Sequence, residues 1–185
     1  FGVVVIDDGS SDDTTPVASA AGAKVVRLPY NLGIGGAVQT GYQYAWQCGY
    51  DLAIQVDADG QHPPSEIDKV TAPVLAGDAD MVIGTRFLGA GGFQSSAFRR
   101  VGIRIFAGLV SLIIRERVTD TTSGFRAVNR KGIELFAAVY PQDYPEVETA
   151  LAHQHGLRLL EVPVVMRERQ GGESSIRLWA SAYYM

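Results

Sequence analysis

The sequence predicts an α/β domain with a mostly parallel central sheet, and two observations carry the prediction. Short β-branched apolar runs alternate with segments of helical length along the first 84 residues, the pattern of strands joined by right-handed crossovers. The runs "GVVVI", "DLAIQV" and "DMVIG" are each followed by a polar cluster, where strands of such a sheet present ligand-binding loops. With 185 residues, 46% hydrophobic and 19% charged, the chain suffices for one domain with a real core and does not have the composition of a disordered segment.

The elements follow in order. "GVVVI" (2–6) is a buried strand that ends in Asp7-Asp8-Gly9. "SSDDTTPVASAAG" starts a helix, with Ser and Asp as caps and Pro16 in its first turn. "KVVRL" (24–28) is a second strand, and 35–49 is a helix closed by Gly49. "DLAIQV" (51–56) is a third strand. Ser65 and Glu66 open a helix that runs to about Gly77, and "DMVIG" (80–84) is a fourth strand. The rest is expected as a Gly/Ser-rich loop at 89–96, a helix over 97–114, a strand at 123–130, a helix at 145–156 and a strand at 157–169. The whole is read as a single domain, 1–185, with a nucleotide-binding half (1–88) and an acceptor half (89–185).

Charge and cysteine content narrow the function. Sixteen basic and twenty acidic residues give a net charge of −4, which disfavours general nucleic-acid binding. The single Cys48 fits a reducing compartment, and its neighbours suggest a buried helix position. The apolar run 105–114 would make a helix about 15 Å long, half of what the ~30 Å hydrocarbon core requires. No signal peptide is visible, and the expected location is cytoplasmic. The opening directly into a strand at Phe1 and the ending in "WASAYYM" read as an excerpt of a longer chain.

The stretch "QVDADGQHPP" (55–64) carries the chemistry. In an extended strand, Asp57 and Asp59 point to the same side and repel unless a cation lies between them. Oxygen donors of this kind favour Mg²⁺ or Mn²⁺, ions that keep water and accept substrate phosphates. Gln61 adds a neutral carbonyl oxygen. A solvated turn with capping acids is the alternative for an isolated Asp-x-Asp. Its place at a strand's carboxyl end, on a rim shared with "DDGSSDD" and "GTR", favours the metal. Ala58 and Gly60 keep the backbone close to a ligand, and His62 with Pro63 and Pro64 shapes the loop. Asp7 and Asp8 can accept from a nucleobase or a ribose; the alternative is capping of the next helix through Ser10, Ser11 and Asp12, and both can hold, with Ser11 and Asp12 capping while Asp8 faces the ligand. Gly33, Gly35 and Gly36 allow close backbone packing, and Arg86 is placed to pair with phosphate. The helix 97–114, basic at Arg99, Arg100 and Arg104 and apolar afterwards, is equally consistent with a buried helix and with one at a membrane interface.

Together "VIDDGSSDDT", "NLGIGGA", "VDADGQHPP", "GTR", "DTTSGFRA" and "EVPVVMRERQGGES" resemble family 2 glycosyltransferases. The resemblance is to the group that transfers sugars to polyprenyl phosphates, similar to dolichol-phosphate-mannose synthases, and runs in order over nearly the whole chain. It implies a GT-A (Rossmann-like) three-layer α/β fold. The family's usual opening strand, with its Pro-x-Tyr-Asn-Glu-like motif, is absent here. The resemblance also implies roles: Asp57, Asp59 and Gln61 on the metal, Ile6, Asp8 and Ala58 at the nucleotide sugar, and Arg86 and Arg169 on the diphosphate. Arg99, and with it Arg100, Ser123 and Arg126, would meet the acceptor phosphate. Where the family often has Lys, six residues after Arg169, this chain has Ser175.

The implied reaction is an inverting single displacement in which Mg²⁺ or Mn²⁺, Arg86 and Arg169 stabilise the leaving diphosphate. The donor would be a nucleotide-diphosphate sugar. The acceptor would be a lipid phosphate at a membrane's cytoplasmic face, whose ionised oxygen needs no strong base. Homo-oligomer formation is compatible with this reading. A hydroxyl acceptor would need a base, for which Asp120 and then Glu148 are the candidates. Sugar transfer to a polysaccharide and a non-catalytic sugar-nucleotide-binding module are the alternatives.

Overall fold

The computed structural model describes residues 2–88, 108, 111–112, 118–141 and 147–168. Arg99, Arg100, Arg104, Arg169, Ser175, Arg177 and the 89–96 loop lie outside the described residues. Of the expected helix 97–114, the described Gly108, Ser111 and Leu112 are helical.

The described elements are β1 (Val4–Asp7), α1 (Thr14–Ala20), β2 (Lys24–Arg27), α2 (Gly33–Gln47) and β3 (Leu52–Gln55). A 3₁₀ turn (Pro64–Glu66) leads into α3 (Ile67–Leu75), and β4 (Met81–Thr85) follows. The second half supplies β5 (Arg126–Asn129), α4 (Arg130–Ala138), α5 (Glu148–Gln154) and β6 (Leu159–Pro163). Every strand and helix run predicted in the described residues forms, with trimmed ends. α2 begins two residues earlier than expected because Asp8 accepts the N–H groups of Leu32 (2.7 Å) and Gly33 (3.0 Å), which satisfies donors at the helix start. It ends where Gly49, at φ +74°, lets Tyr50 N–H reach back to the Ala45 carbonyl at 3.0 Å.

β1 pairs in parallel with β2. The other four strands form a sheet in the order β3-β5-β4-β6. β3, β4 and β6 share one direction, and β5 runs against them. The sheet is thus mostly parallel, and the two halves of the chain interleave in it. Side chains alternate across it as the pleat demands. Met81, Ile83 and Val128 face α2 and α4, where Tyr42, Ile133 and Phe136 complete one apolar cluster. Val82 and Ala127 face Val70 and Val74 of α3 in a second. These are the two interfaces of a three-layer α/β/α domain. Residues 81–85 are all buried, which explains why β4 reads as an unbroken apolar run.

Cys48 is a correction. It is exposed at the C-terminal cap of α2, one residue past the last full turn that the core covers.

Candidate active site

The reversed direction of β5 assembles the site. Because β5 is antiparallel to both β3 and β4, the 118–125 loop that enters it arrives where β3 and β4 end. β6 runs parallel to β4 and delivers 164–168 to the same rim, with Val164 N–H on the Thr85 carbonyl at 3.1 Å. Residues 57–62, 85–88, 118–125 and 164–168 therefore meet. The "DADGQHPP" and "GTR" clusters converge as expected. The "DDGS" cluster ends β1 in the other sheet, and no strand pairing joins the two sheets among the described residues.

β3 stops at Gln55, so Asp57 and Asp59 are not alternate residues of one strand; they bracket the change from strand to turn. Asp59 Oδ1 accepts the Gln61 N–H at 2.9 Å, and Gly60 sits at φ +80°, where a side chain would be strained. Asp57 is placed by two neighbours. Its N–H donates to His62 Nδ1 at 3.0 Å. Its carboxylate lies against Gly124, so that a Cβ there would stand 2.7 Å from Oδ2. His62 is buried and stacked on Phe125, with ring centroids 4.9 Å apart and planes 14° from parallel. Burial pushes its pKa below the ordinary value, against the opposing pull of Asp57 and Asp59, and so favours the neutral ring whose Nδ1 accepts that bond. This is the loop-shaping role expected for His62.

Gln61 joins the turn to the segment that follows β6. Its carbonyl accepts Arg167 N–H at 3.0 Å and its amide nitrogen donates to the Arg167 carbonyl at 3.5 Å. Among the described residues no three His, Cys, Asp or Glu side chains converge as a complete metal cage. Two carboxylates and an amide oxygen suit a hard divalent ion that completes its shell with water and phosphate oxygens. The Asp57 carboxylate, seated where a Cβ would otherwise stand, fits such a site.

Arg86, just past β4, donates from Nε to Asp120 Oδ2 at 3.0 Å and from Nη2 to Asp120 Oδ1 at 3.1 Å, with a further contact to Thr122 Oγ1. Asp120 is fully buried. Glu161, a charged residue within β6, grips the same loop by accepting Thr119 N–H at 2.8 Å and Asp120 N–H at 3.0 Å. Sequence reasoning missed it; an acid among apolar strand residues was the available signal.

Two expectations for the acceptor phosphate need correction. The Ser123 hydroxyl is buried, donating to the Gly84 carbonyl at 2.6 Å and accepting from Phe125 N–H. Arg126 is 3% exposed, and its guanidinium donates to the Ser123 carbonyl, the Thr121 carbonyl and Glu148 Oε2. Both side chains face inward and brace the loop: Arg126 opens β5, and Ser123, in the loop before it, is tied to the end of β4 at Gly84. Glu148, the second candidate base, is 1% exposed and also accepts from Tyr140 at 2.7 Å.

The remaining nucleotide-side residues lie on β1. Ile6 faces α2, where a Cβ at Gly41 would stand 3.7 Å from it. Asp7 accepts from Ser10 N–H at 2.8 Å and from the Thr15 hydroxyl, while Asp8 caps α2. Ala58 is exposed in the turn.

Comparison with known proteins gives the family and the fold. The family model described as Glycosyl transferase family 2 matches residues 1–136. The chain is 30% identical to the polyprenol monophosphomannose synthase of Mycolicibacterium smegmatis, over 94% of this chain and 69% of that protein. It is 31% identical to the undecaprenyl-phosphate mannosyltransferase of Micrococcus luteus, over 94% and 75%. Among solved structures, glucosyl-3-phosphoglycerate synthase of Mycobacterium tuberculosis with Mn²⁺, UDP and phosphoglyceric acid superposes with a TM-score of 0.69 at 20% identity, over 93% of this chain and 61% of that one. The chain spans about three fifths of the length of that solved structure. These structures share its fold.

Proposed function

Because this chain belongs to glycosyl transferase family 2, we propose that it serves a transferase that moves a sugar from a nucleotide-diphosphate donor to a polyprenyl phosphate, with inversion at the anomeric carbon. The observation that carries the choice of acceptor is the state of the two candidate bases. Asp120 is fully buried in a bidentate pair with Arg86, and Glu148 is buried on Arg126. A carboxylate that is closed off from solvent and engaged by a guanidinium in this way is not presented to an incoming hydroxyl. A phosphate acceptor arrives ionised and needs none. The names of the two relatives support the same acceptor class.

In this reading Asp57, Asp59 and Gln61 would hold Mg²⁺ or Mn²⁺. The ion would neutralise charge on the leaving group. An acceptor phosphate oxygen attacks the anomeric carbon, the bond from that carbon to the diphosphate breaks, and the electron pair stays on the diphosphate. Asp120 fixes the guanidinium plane of Arg86 at the end of β4, which aims its charge at the same rim. Arg169 is assigned to the diphosphate and Arg99 with Arg100 to the acceptor phosphate, as the resemblance implies. Asp8 keeps lone pairs for a base N–H after accepting two backbone donors, beside Ile6 and Ala58. No helix among the described residues is long and apolar enough to cross a membrane, and the proposed location is peripheral, at the cytoplasmic face.

The test uses the full-length protein in detergent with a panel of nucleotide sugars and either undecaprenyl phosphate or undecaprenol. The expected result is Mn²⁺- or Mg²⁺-dependent transfer to the phosphate alone. Transfer to a free hydroxyl, or transfer unaffected by EDTA, overturns the corresponding part of the reading.

A further inference from the structure

We infer that Gly124 is a positioning residue for the metal-binding carboxylate of Asp57, an inference that rests on the metal reading proposed above. The two residues are distant in sequence and touch in the fold. A Cβ built on Gly124 would lie 2.7 Å from Asp57 Oδ2, 2.8 Å from Oδ1 and 3.0 Å from Cγ. Those separations are shorter than a carbon and a carboxylate oxygen tolerate, so the Cα of Gly124 is the floor on which the carboxylate rests. Glycine is not demanded here by the backbone, since Gly124 is not among the glycines with positive φ. What it supplies is space.

Neither backbone can retreat. Behind Gly124, the Ser123 hydroxyl is tied to the Gly84 carbonyl at 2.6 Å and the Ser123 carbonyl accepts from Arg126 Nε at 2.6 Å. Phe125 is fully buried under the His62 ring. On the other side, His62 holds the Asp57 N–H. With both backbones fixed, a side chain at 124 is accommodated only by turning the Asp57 carboxylate away. Outer contacts that orient a metal ligand typically change metal affinity by about 10- to 100-fold when lost, and the same range is expected for Gly124→Ala.

A matched control exists in the core. A Cβ at Gly132 would meet Val128 Cβ at 2.8 Å, a similar overlap directed at an apolar side chain. Val128 Cβ is fixed to its backbone and cannot turn aside, so Gly132→Ala carries a packing penalty at least as large, without touching the rim.

The experiment measures Mn²⁺ binding in the presence of UDP, by electron paramagnetic resonance, for the full-length wild type, Gly124→Ala and Gly132→Ala. The expected result is at least a tenfold weaker Mn²⁺ affinity in Gly124→Ala and a change under twofold in Gly132→Ala. Equal Mn²⁺ affinity in Gly124→Ala and wild type overturns the inference. A second measurement needs no metal: unfolding midpoints of Gly124→Ala, Asp57→Ala and the double variant. Removing the carboxylate makes room for the new methyl group, so Asp57→Ala should restore stability lost in Gly124→Ala, a non-additive cycle. Additive losses overturn the inference, including where Gly124→Ala alone folds poorly. A wild type that binds no Mn²⁺ with UDP sinks the metal reading on which the inference rests, and with it the claim that Gly124 serves a metal ligand; the stability cycle then reports only the contact.

Discussion

Two strands of this chain end in a pair of acids, and the fold uses the pairs differently. After β1, Asp7 and Asp8 are adjacent, and each is taken up by local structure. Asp7 turns inward to Ser10 and Thr15, and Asp8 holds the first N–H groups of α2. After β3, Asp57 and Asp59 are separated by Ala58 and flank a turn. Here the loop is held mainly by other residues: His62 holds the backbone of Asp57, Gly124 lies under its carboxylate, and the Arg167 backbone ties down Gln61, while the Asp59 carboxylate adds one bond within the turn, to Gln61 N–H. An acid whose position is set by its neighbours is available for chemistry. An acid that sets the position of its neighbours is mainly structural.

The largest effect that could break this contrast is on turnover. Asp59→Ala should lower kcat by about 10³-fold or more, since a metal's stabilisation of transition-state charge amounts to several kcal/mol and each 1.36 kcal/mol is tenfold. Its unfolding midpoint in urea should stay near that of the wild type. Asp7→Ala, which removes the acid held by Ser10 and Thr15, should show the reverse balance, with lower stability and the larger share of activity per folded molecule retained. A steady-state assay beside urea unfolding reads both. Loss of stability without loss of activity in Asp59→Ala would erase the distinction.

A smaller effect sharpens it in the acceptor half. Glu148 pairs with Arg126 in the core, at 2.6 Å. Removing one partner of such a pair leaves a buried charge uncompensated, and Glu148→Ala should cost about 3–5 kcal/mol of stability. If Glu148 were instead a catalytic base, Glu148→Gln would keep much of the stability and lose the activity. The expected result is a loss of stability with turnover retained per folded molecule, measured by urea unfolding and by activity normalised to folded protein.

The local order of the fold was legible because strand and helix runs obey local rules. β-branched runs, Gly49 after α2 and Ser65-Glu66 before α3 mark their elements without reference to anything distant. The direction of β5 was not legible: "FRAVN" reads the same whether it pairs parallel or antiparallel, and pairing depends on what lies beside it. That direction converts Ser123 and Arg126 from expected phosphate ligands into braces of a loop, and brings Gly124 beneath Asp57. The metal turn was visible as a motif, although the same-side argument for it assumed a strand that ends at Gln55. The partners of Glu161 and Gly124 lie 40 or more residues away, so local sequence did not identify them, although an acid within an apolar strand marked Glu161 itself.

The smallest expected effect lies in the pH dependence of stability. The Thr15 hydroxyl and the Ser10 N–H hold the Asp7 carboxyl below its ordinary value of 3.8. A depressed folded-state pKa favours the fold wherever the unfolded chain would already be ionised. The contribution is therefore complete above the unfolded pKa and is lost as pH falls through 3.8 toward the lower folded value. Asp12, Glu66 and Asp80 are lowered as well, so the wild type should lose stability steadily across the acid range. Asp7→Asn removes one increment of that slope. Urea midpoints taken between pH 7 and pH 3 should fall less steeply in Asp7→Asn than in the wild type, from a lower starting value at pH 7. Parallel curves would mean that Asp7 does not hold the turn after β1, and the structural side of the contrast would then rest on Asp8 alone.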